Sequence, residues 1–319
     1  MARVLITGGA GFIGSHLARA CLARGDEVTV IVRASTDLWR LADIAGELDV
    51  LPIDLTNSQA VRACLAAKRP EFIFHLAIQT RRAGVPDYSD VMIGYQDDLG
   101  ALVTLAVAAA NADVPPRAFV RCGTLAEYGS GIAPFDEDQR EAPLDAYTAA
   151  LVSGTHYLQM MQSRLPFSGT TARLGLTYGA GQSTGFLVPA LIENCLTSNR
   201  MELRHPDDMR DLIHVDDVIS GLFAISYNRA AAGQVINIAT GIAPPVREIA
   251  ALIAELTGAN PKLLHPHKNA GTGGIPDFRA KTEKAKRLLG WQSTIPFGEG
   301  LARTVRDAQH RHTSTELTQ

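Results

Sequence analysis

Through the first half of the chain, short apolar runs alternate with segments whose apolar residues recur at helical spacing. RVLIT (3–7) reads as a buried strand, and FIGSHLARACLARG (12–25) as a helix stopped by Gly25. EVTVIV (27–32), LDVLPID (48–54), EFIFHLA (71–77) and RAFVRCGT (117–124) read as the next strands, and GTTARLGLTYG (169–179) as the sixth. DDLGALVTLAVAAANA (97–112) reads as a long helix, and a further helix is expected over 145–164. The strands are rich in Val, Ile and Phe and do not alternate with polar residues, so both of their faces are buried. That predicts an α/β fold with a doubly wound parallel sheet over residues 1–180. Past residue 180, Pro, Gly and polar segments separate helical patterns such as REIAALIAELTG (247–258) and AKTEKAKRLLG (280–290). They predict a smaller α/β C-terminal lobe over 181–319, partly interleaved with the first. The polar end HRHTSTELTQ is expected to fray.

Composition narrows the class. The 319 residues are 46% hydrophobic and 20% charged, an ordinary globular balance with a core that needs no staples. A net charge of −3 gives no global basic field for nucleic acid. Cys21, Cys64, Cys122 and Cys195 lie far apart and form no C-x-x-C pair, so free thiols in a reducing cytoplasm are expected. No apolar run approaches the roughly 18 residues of a membrane span. RVLITGGAGFIG is a strand and a turn rather than the core of a signal peptide. The expectation is a cytoplasmic protein with no membrane partner and no metal.

The first turn carries the most specific chemistry. ITGGAGFIGSHL places Gly9, Gly11 and Gly14 as G-x-G-x-x-G between a strand and a helix, and Gly8, Gly11 and Gly14 satisfy a parallel reading. Such a turn needs positive φ, close approach of backbone to a pyrophosphate, and tight packing of helix on strand. The expected cradle is Gly8, Gly11, Phe12, Ile13 and Gly14; the alternative is a glycine turn that serves packing alone. The second strand normally ends in an acid for the ribose 2′-hydroxyl. Here Val32 holds that place, followed by Arg33, Ala34 and Ser35. A carboxylate repels a 2′-phosphate and an arginine clamps one, so Arg33 and Ser35 point to NADP(H), with NAD(H) the lesser expectation. The alternative makes Arg33 a solvated surface residue.

Taken together, TGGAGFIGSHL, Asp54–Leu55, HLA at 75–77, GTLAEYG at 123–129, Tyr147, RLGLTYGAGQ at 173–182, RDLIHVDDV at 210–218 and AKRLLGW at 285–291 resemble the extended short-chain dehydrogenase/reductase family. Within it the chain is most similar to the nucleotide-sugar epimerases, dehydratases and ketoreductases. The resemblance implies a Rossmann-type fold with a substrate-binding C-terminal lobe. It also implies roles at matching positions. Asp54 and Leu55 would line the adenine; Leu76, Ala77 and Ile78 would border the central ribose and phosphates. Thr124 would hydrogen-bond the reacting sugar oxygen, Tyr147 would be the acid/base and border the cofactor, and Arg210 would meet the substrate diphosphate. The competing structural roles are a helix cap for Asp54 and pairing with Asp207 or Asp211 for Arg210. A homodimer is implied, built from the Asp97–Ala112 and Tyr147–Arg164 helices through Leu102, Val103, Leu158 and Met161.

Four departures from the family pattern bear on the reaction. Leu151 stands where a lysine follows the tyrosine by four places, with Ala150 before it. Leu125 and Ala126 stand where dehydratases carry an acidic pair, and Glu127 comes one place late, which argues against 4,6-dehydration. Leu176 replaces the asparagine of R-x-x-N. The second diphosphate arginine has no counterpart in NAGTGGIPD, where Lys268 is the nearest cation. No lysine exists between Lys68 and Lys262 to substitute for the missing one. His156 follows Tyr147 by about two and a half turns and reads as a surface or interface histidine. On the fifth strand, adjacent Arg121 and Cys122 face opposite ways; Cys122 shares the face of Thr124 but reads as a buried apolar cysteine.

The missing lysine acts unequally on the two directions of a redox reaction. Taking a proton from a sugar hydroxyl needs tyrosinate, and bringing a tyrosine from about 10 to about 7 takes roughly 4 kcal/mol. Donating a proton to a developing alkoxide needs the neutral phenol, already present at pH 7. The leading expectation is therefore an NADPH-dependent reductase of a keto group on a nucleotide-activated sugar. The alternatives are an epimerase of the same family and a catalytically silent dinucleotide-binding protein.

Overall fold

A computed structural model describes residues 1–78, 80, 85–266 and 274–316. Its centre is a seven-stranded sheet ordered β11-β6-β5-β4-β1-β2-β3, parallel throughout. The strands are β1 (Arg3–Thr7), β2 (Glu27–Val32), β3 (Asp49–Pro52), β4 (Phe72–His75), β5 (Ala118–Thr124), β6 (Ser168–Leu174) and β11 (Val235–Ile238). Strand direction reverses its order of addition between β1 and β4, which opens a crevice at the carboxyl ends of those strands.

Each face of the sheet is covered by helices, as the continuous apolar strands require. On one face α1 (Phe12–Ala23) and α7 (Val215–Ser226) pack Leu17, Ala18, Val218 and Leu222 against Val4, Ile6 and Val120. On the other, α2 (Ser58–Lys68), α4 (Ala101–Ala110) and α5 (Ala146–Met161) bring Leu65, Leu105 and Leu158 onto Leu5, Ile73 and Phe119. Helix α4 continues a rod that starts as α3 (Ser89–Ile93) and passes through a π-helical segment, Gly94–Gly100. The whole run Ser89–Ala110 is long and apolar enough to cross a membrane, with mean hydropathy 1.2, yet Leu102, Leu105, Ala106 and Ala109 bury it against the sheet. Sequence reading found no such run because Gly94, Asp97, Asp98 and Gly100 punctuate it, although they do not end the helix.

The remaining elements form a second core. Helices α6 (Leu187–Leu196), α8 (Val246–Thr257) and α10 (Phe297–Glu316) converge on Leu191, Ile249, Ile253, Leu301 and Val305. Short parallel pairs join β7 (Leu176–Tyr178) to β10 (Leu212–His214), β8 (Met201–Leu203) to β12 (Leu264–Pro266), and β9 (Met209–Arg210) to β13 (Asp277–Phe278). Helix α9 (Glu283–Leu289) lies beside β11.

Two expectations are corrected here. The sixth strand, expected over 169–179, is two strands in different sheets: Gly175 donates to the Ile238 carbonyl and Leu176 to the Asp211 carbonyl, so the chain leaves the main sheet between them. The central sheet takes β11 from beyond residue 180, and α7 covers part of one face. The polar tail does not fray at 310, since α10 runs to Glu316 on the anchor of Leu301 and Val305.

Candidate functional site

The glycine turn joins β1 to α1 with little space for side chains. Gly8 has φ +72°, and a Cβ there would lie 2.6 Å from the Leu76 carbonyl oxygen. A Cβ on Gly14 would lie 2.3 Å from the Gly8 carbonyl, and one on Gly9 would lie 2.5 Å from the Val30 side chain. Gly11 is the N-cap of α1 and has no side chain to cap it, so the first amides, at Phe12, Ile13 and Gly14, carry no side-chain partner. Amides and dipole at such a terminus suit an anion. The Thr7 hydroxyl shares a hydrogen bond with His75 Nδ1 at 2.9 Å and accepts from the Ala77 amide at 3.3 Å, which fixes the end of β4 beside β1. Burial, then the nearby Arg121 charge, lowers the His75 pKa to about 3, so this histidine is neutral and structural.

A cavity of about 720 Å³ opens at these strand ends. Gly8, Gly11, Arg33, Asp54, Leu55, Leu76, Ala77 and Ile78 are among the residues that line it. Phe12, Ile13, Gly14, Ser35 and Tyr147 are not among its lining residues. The volume, the glycine cradle and the helix start fit a dinucleotide. Asp54 does not cap α2. Asn57 does, accepting from the Gln59 and Ala60 amides at 3.1 Å, while Asp54 accepts from the amide and hydroxyl of Thr56 at 2.9 and 2.8 Å. Those bonds, and then the Arg33 charge, hold the Asp54 carboxyl below its ordinary pKa. The exposed Arg33 guanidinium lies 3.5 Å from Asp97, a lining residue in the π-helical segment.

Around Tyr147 the structure shows what occupies the space of the missing lysine. Leu151 is 2% exposed. Arg121, also buried, reaches from β5 under α5 and donates to the Leu151 carbonyl at 2.6 Å and to the Thr155 hydroxyl at 2.8 Å. Gly154 lets it pass: a Cβ there would sit 3.1 Å from the guanidinium. Cys122 faces the opposite way, into the apolar core. Glu127 joins the same network from a short 3-10 turn after β5. It accepts from the Thr124 amide at 3.1 Å, the Thr155 hydroxyl at 2.8 Å and Arg173 Nε at 3.1 Å, and lies 3.9 Å from Arg121. Gly123 is small because a Cβ would overlap the Glu127 carboxylate at 2.0 Å. Arg173 continues to Glu141 at 2.6 Å, and Glu141 to the exposed His156 at 3.4 Å. His156 is thus the surface end of a buried ionic chain.

This chain places Thr124 and Tyr147 on elements that one carboxylate ties together. The Thr124 hydroxyl accepts from the Ala126 amide at 3.2 Å, which leaves its own proton free to donate. Burial holds the Tyr147 pKa well above the ordinary tyrosine value, the Glu127 charge pushes the same way, and Arg121 offsets part of it. Arg121, Glu127 and Asp97 are the residues that sequence reading left without a role. The available signal was a charge inside the apolar strand AFVRCGT, since a buried arginine must be paired.

Beyond the central sheet, Arg210 pairs with Asp208 at 2.6 Å and donates to the Met209 and Ile275 carbonyls at 3.0 Å. Neither of the acids considered from the sequence is its partner: Asp207 pairs with Arg247, and Asp211 accepts from Thr240, Gly241 and Ala280. Leu176 is packed among apolar neighbours. Lys268 lies outside the described residues.

Comparison with known proteins follows this geometry. Residues 4–239 match the NAD dependent epimerase/dehydratase family. A UDP-glucose 4-epimerase of Mycolicibacterium smegmatis is 30% identical over 95% of this chain and 97% of its own. A dTDP-6-deoxy-L-talose 4-dehydrogenase (NAD(P)(+)) of Kitasatospora kifunensis is 25% identical over 91% and 90%. The structure of MoeE5 in complex with UDP-glucose and NAD superposes with a TM-score of 0.84 at 27% identity, covering 97% of this chain and 99% of that one. By fold, by the matched span and by these relatives, the chain belongs to the NAD dependent epimerase/dehydratase family.

Proposed function

We propose that the protein reduces a keto group on a nucleotide-activated sugar, with NADP(H) as the preferred cofactor. What supports this reading is the surroundings of Tyr147: burial and then Glu127 raise its pKa, Arg121 offsets only part of that, and the buried Leu151 offers no cation to ionise it. A bound dinucleotide would supply the hydride. Tyr147 would give a proton to the oxygen that becomes a hydroxyl, and Thr124, with its proton free, would hold that oxygen beforehand. Thr124 and Tyr147 keep their register because Glu127 bonds both β5 and α5. NADP(H) is favoured by Val32 in the acid's place and by Arg33 in the cavity wall.

The 4-epimerase reading is favoured by one observation, the 30% identity to a UDP-glucose 4-epimerase over nearly the whole chain. That reaction needs Tyr147 to accept a proton as well as donate one. The proposed substrate region includes Arg210, whose guanidinium would have to be shared between Asp208 and a diphosphate. A homodimer stays part of the proposal, but Leu102 and Leu158 are core residues; the outward apolar residues of those helices are Val107, Tyr157 and Met160. The test is NADPH and NADH turnover against 4-keto nucleotide sugars and UDP-hexoses, with Tyr147→Phe beside wild type. The expected result is keto-sugar reduction that falls a hundredfold or more in the variant. Epimerisation without net NADPH consumption would replace this reading by the second, and an active Tyr147→Phe enzyme would remove it.

A further inference from the structure

The cofactor cavity contains an opposed pair of charges on its two walls. Arg33 follows the last residue of β2, where the adenosine ribose of a dinucleotide is recognised in this fold. Asp97 approaches from the π-helical segment Gly94–Gly100, whose widened turn sits between two α-helical stretches. Such insertions commonly mark functional positions, because they re-aim one residue without ending the helix. The two side chains meet at 3.5 Å. Among the described lining residues Arg33 is the only cation, set against the carboxylates of Asp54 and Asp97. Its field already acts on Asp54, whose lowered pKa owes a part to it.

We propose that Asp97 is a specificity-determining residue for the cofactor: by pairing with Arg33 it withholds the guanidinium from a 2′-phosphate and narrows the preference for NADP(H) over NAD(H). The proposal rests on the reading of this cavity as the dinucleotide site with Arg33 beside the 2′-position. The chemistry is competitive. A 2′-phosphate brings about two negative charges and offers bidentate acceptors, so it takes Arg33 from a single carboxylate at the cost of that pair. A 2′-hydroxyl makes no such demand, and with NAD(H) the Arg33–Asp97 pair persists. The pair is exposed, with side-chain accessibilities of 62% and 41%, so it is weak enough to be displaced. Its removal is expected to change affinity by about fivefold, the upper range for exposed pairs.

The test is direct binding of NADPH and NADH by titration calorimetry to wild type, Asp97→Asn, Arg33→Ala and the double variant, in low and in moderate salt. Asp97→Asn should tighten NADPH about fivefold and leave NADH within twofold. The gain should shrink in the Arg33→Ala background and in higher salt. An Asp97→Ser variant with an unchanged melting temperature guards against a local folding effect. Arg33→Ala with an unaltered NADPH to NADH ratio would refute the underlying reading and this proposal with it. Arg33→Ala that lowers the ratio, beside Asp97→Asn that leaves it unmoved, would overturn the proposal alone. A gain from Asp97→Asn undiminished without Arg33 would show direct repulsion instead of withholding, and selective loss of NADH binding would make Asp97 a ribose acceptor; either result overturns it.

Discussion

Replacing Leu151 with lysine puts back the charge whose absence defines this site, and its effect can be sized. Residues four apart on a helix have Cβ atoms about 5–6 Å apart. At an effective dielectric constant of about 20, a unit charge at that range stabilises tyrosinate by roughly 3 kcal/mol, about two pKa units. The site itself works against the full value. Leu151 is 2% exposed, and Arg121 already donates to its carbonyl, so a lysine there would be desolvated beside a second cation. The net expectation for Leu151→Lys is a fall of about one unit in the Tyr147 pKa.

In wild type, Tyr147 should stay protonated through about pH 10, because burial and Glu127 both raise its pKa. Keto reduction should then be flat from about pH 6 to 10, while the reverse oxidation climbs with pH over the same range. Leu151→Lys should speed oxidation more than reduction at about pH 8. Stability carries the same sign: above the unfolded tyrosine pKa of about 10, the folded state retains a proton that the unfolded chain has lost, so stability falls as pH rises. An ultraviolet difference titration of wild type against Tyr147→Phe reads the phenol without any substrate. A Tyr147 titration centred below pH 9 in wild type would refute the reasoning, since Arg121 would then outweigh burial and Glu127 together.

Two further outcomes follow from the same geometry. Glu127→Gln leaves the buried Arg121 and Arg173 with one fewer counter-charge and should cost about 3–5 kcal/mol, a melting temperature lower by roughly 6 °C for a chain of this size; scanning calorimetry showing less than about 1 kcal/mol would contradict the network's role. Gly14→Ala, with a Cβ 2.3 Å from the Gly8 carbonyl, should weaken dinucleotide binding at least tenfold by prising α1 from the turn, and calorimetric affinities equal to wild type would show that the turn adapts.

The sheet was legible from the sequence because its signal is redundant. Six apolar runs without alternation, each followed by a helical pattern, admit few arrangements other than a helix-covered parallel sheet. The glycine turn was legible because sterics leave little else for Gly8 and Gly14. Where reading failed, the deciding contact lay far away in sequence. The break at Gly175 depends on Ile238 and Asp211, and β11 depends on pairing with β6 across sixty residues of intervening chain.

The active-site charges illustrate the deeper limit. Strand alternation assigned Arg121 and Cys122 to opposite faces, and the structure agrees, but alternation does not say which helix residue leaves room for a guanidinium. Gly154 supplies that room, on another element and thirty-three positions away. Likewise Glu127 looked like a dehydratase acid displaced by one place. Its displacement is what turns it inward, where it meets Thr155 and Arg173 in place of substrate. A position-by-position reading therefore records Leu151 as a loss and Glu127 as a misplacement. In three dimensions the two sit in one rearrangement, in which Arg121, with its own counter-ion, is buried beneath the helix that carries Tyr147. Arg121 and Glu127 act on Tyr147 with opposite sign and burial adds to Glu127, so the net effect raises the phenol's pKa, which is the basis for proposing that this tyrosine gives a proton more readily than it takes one.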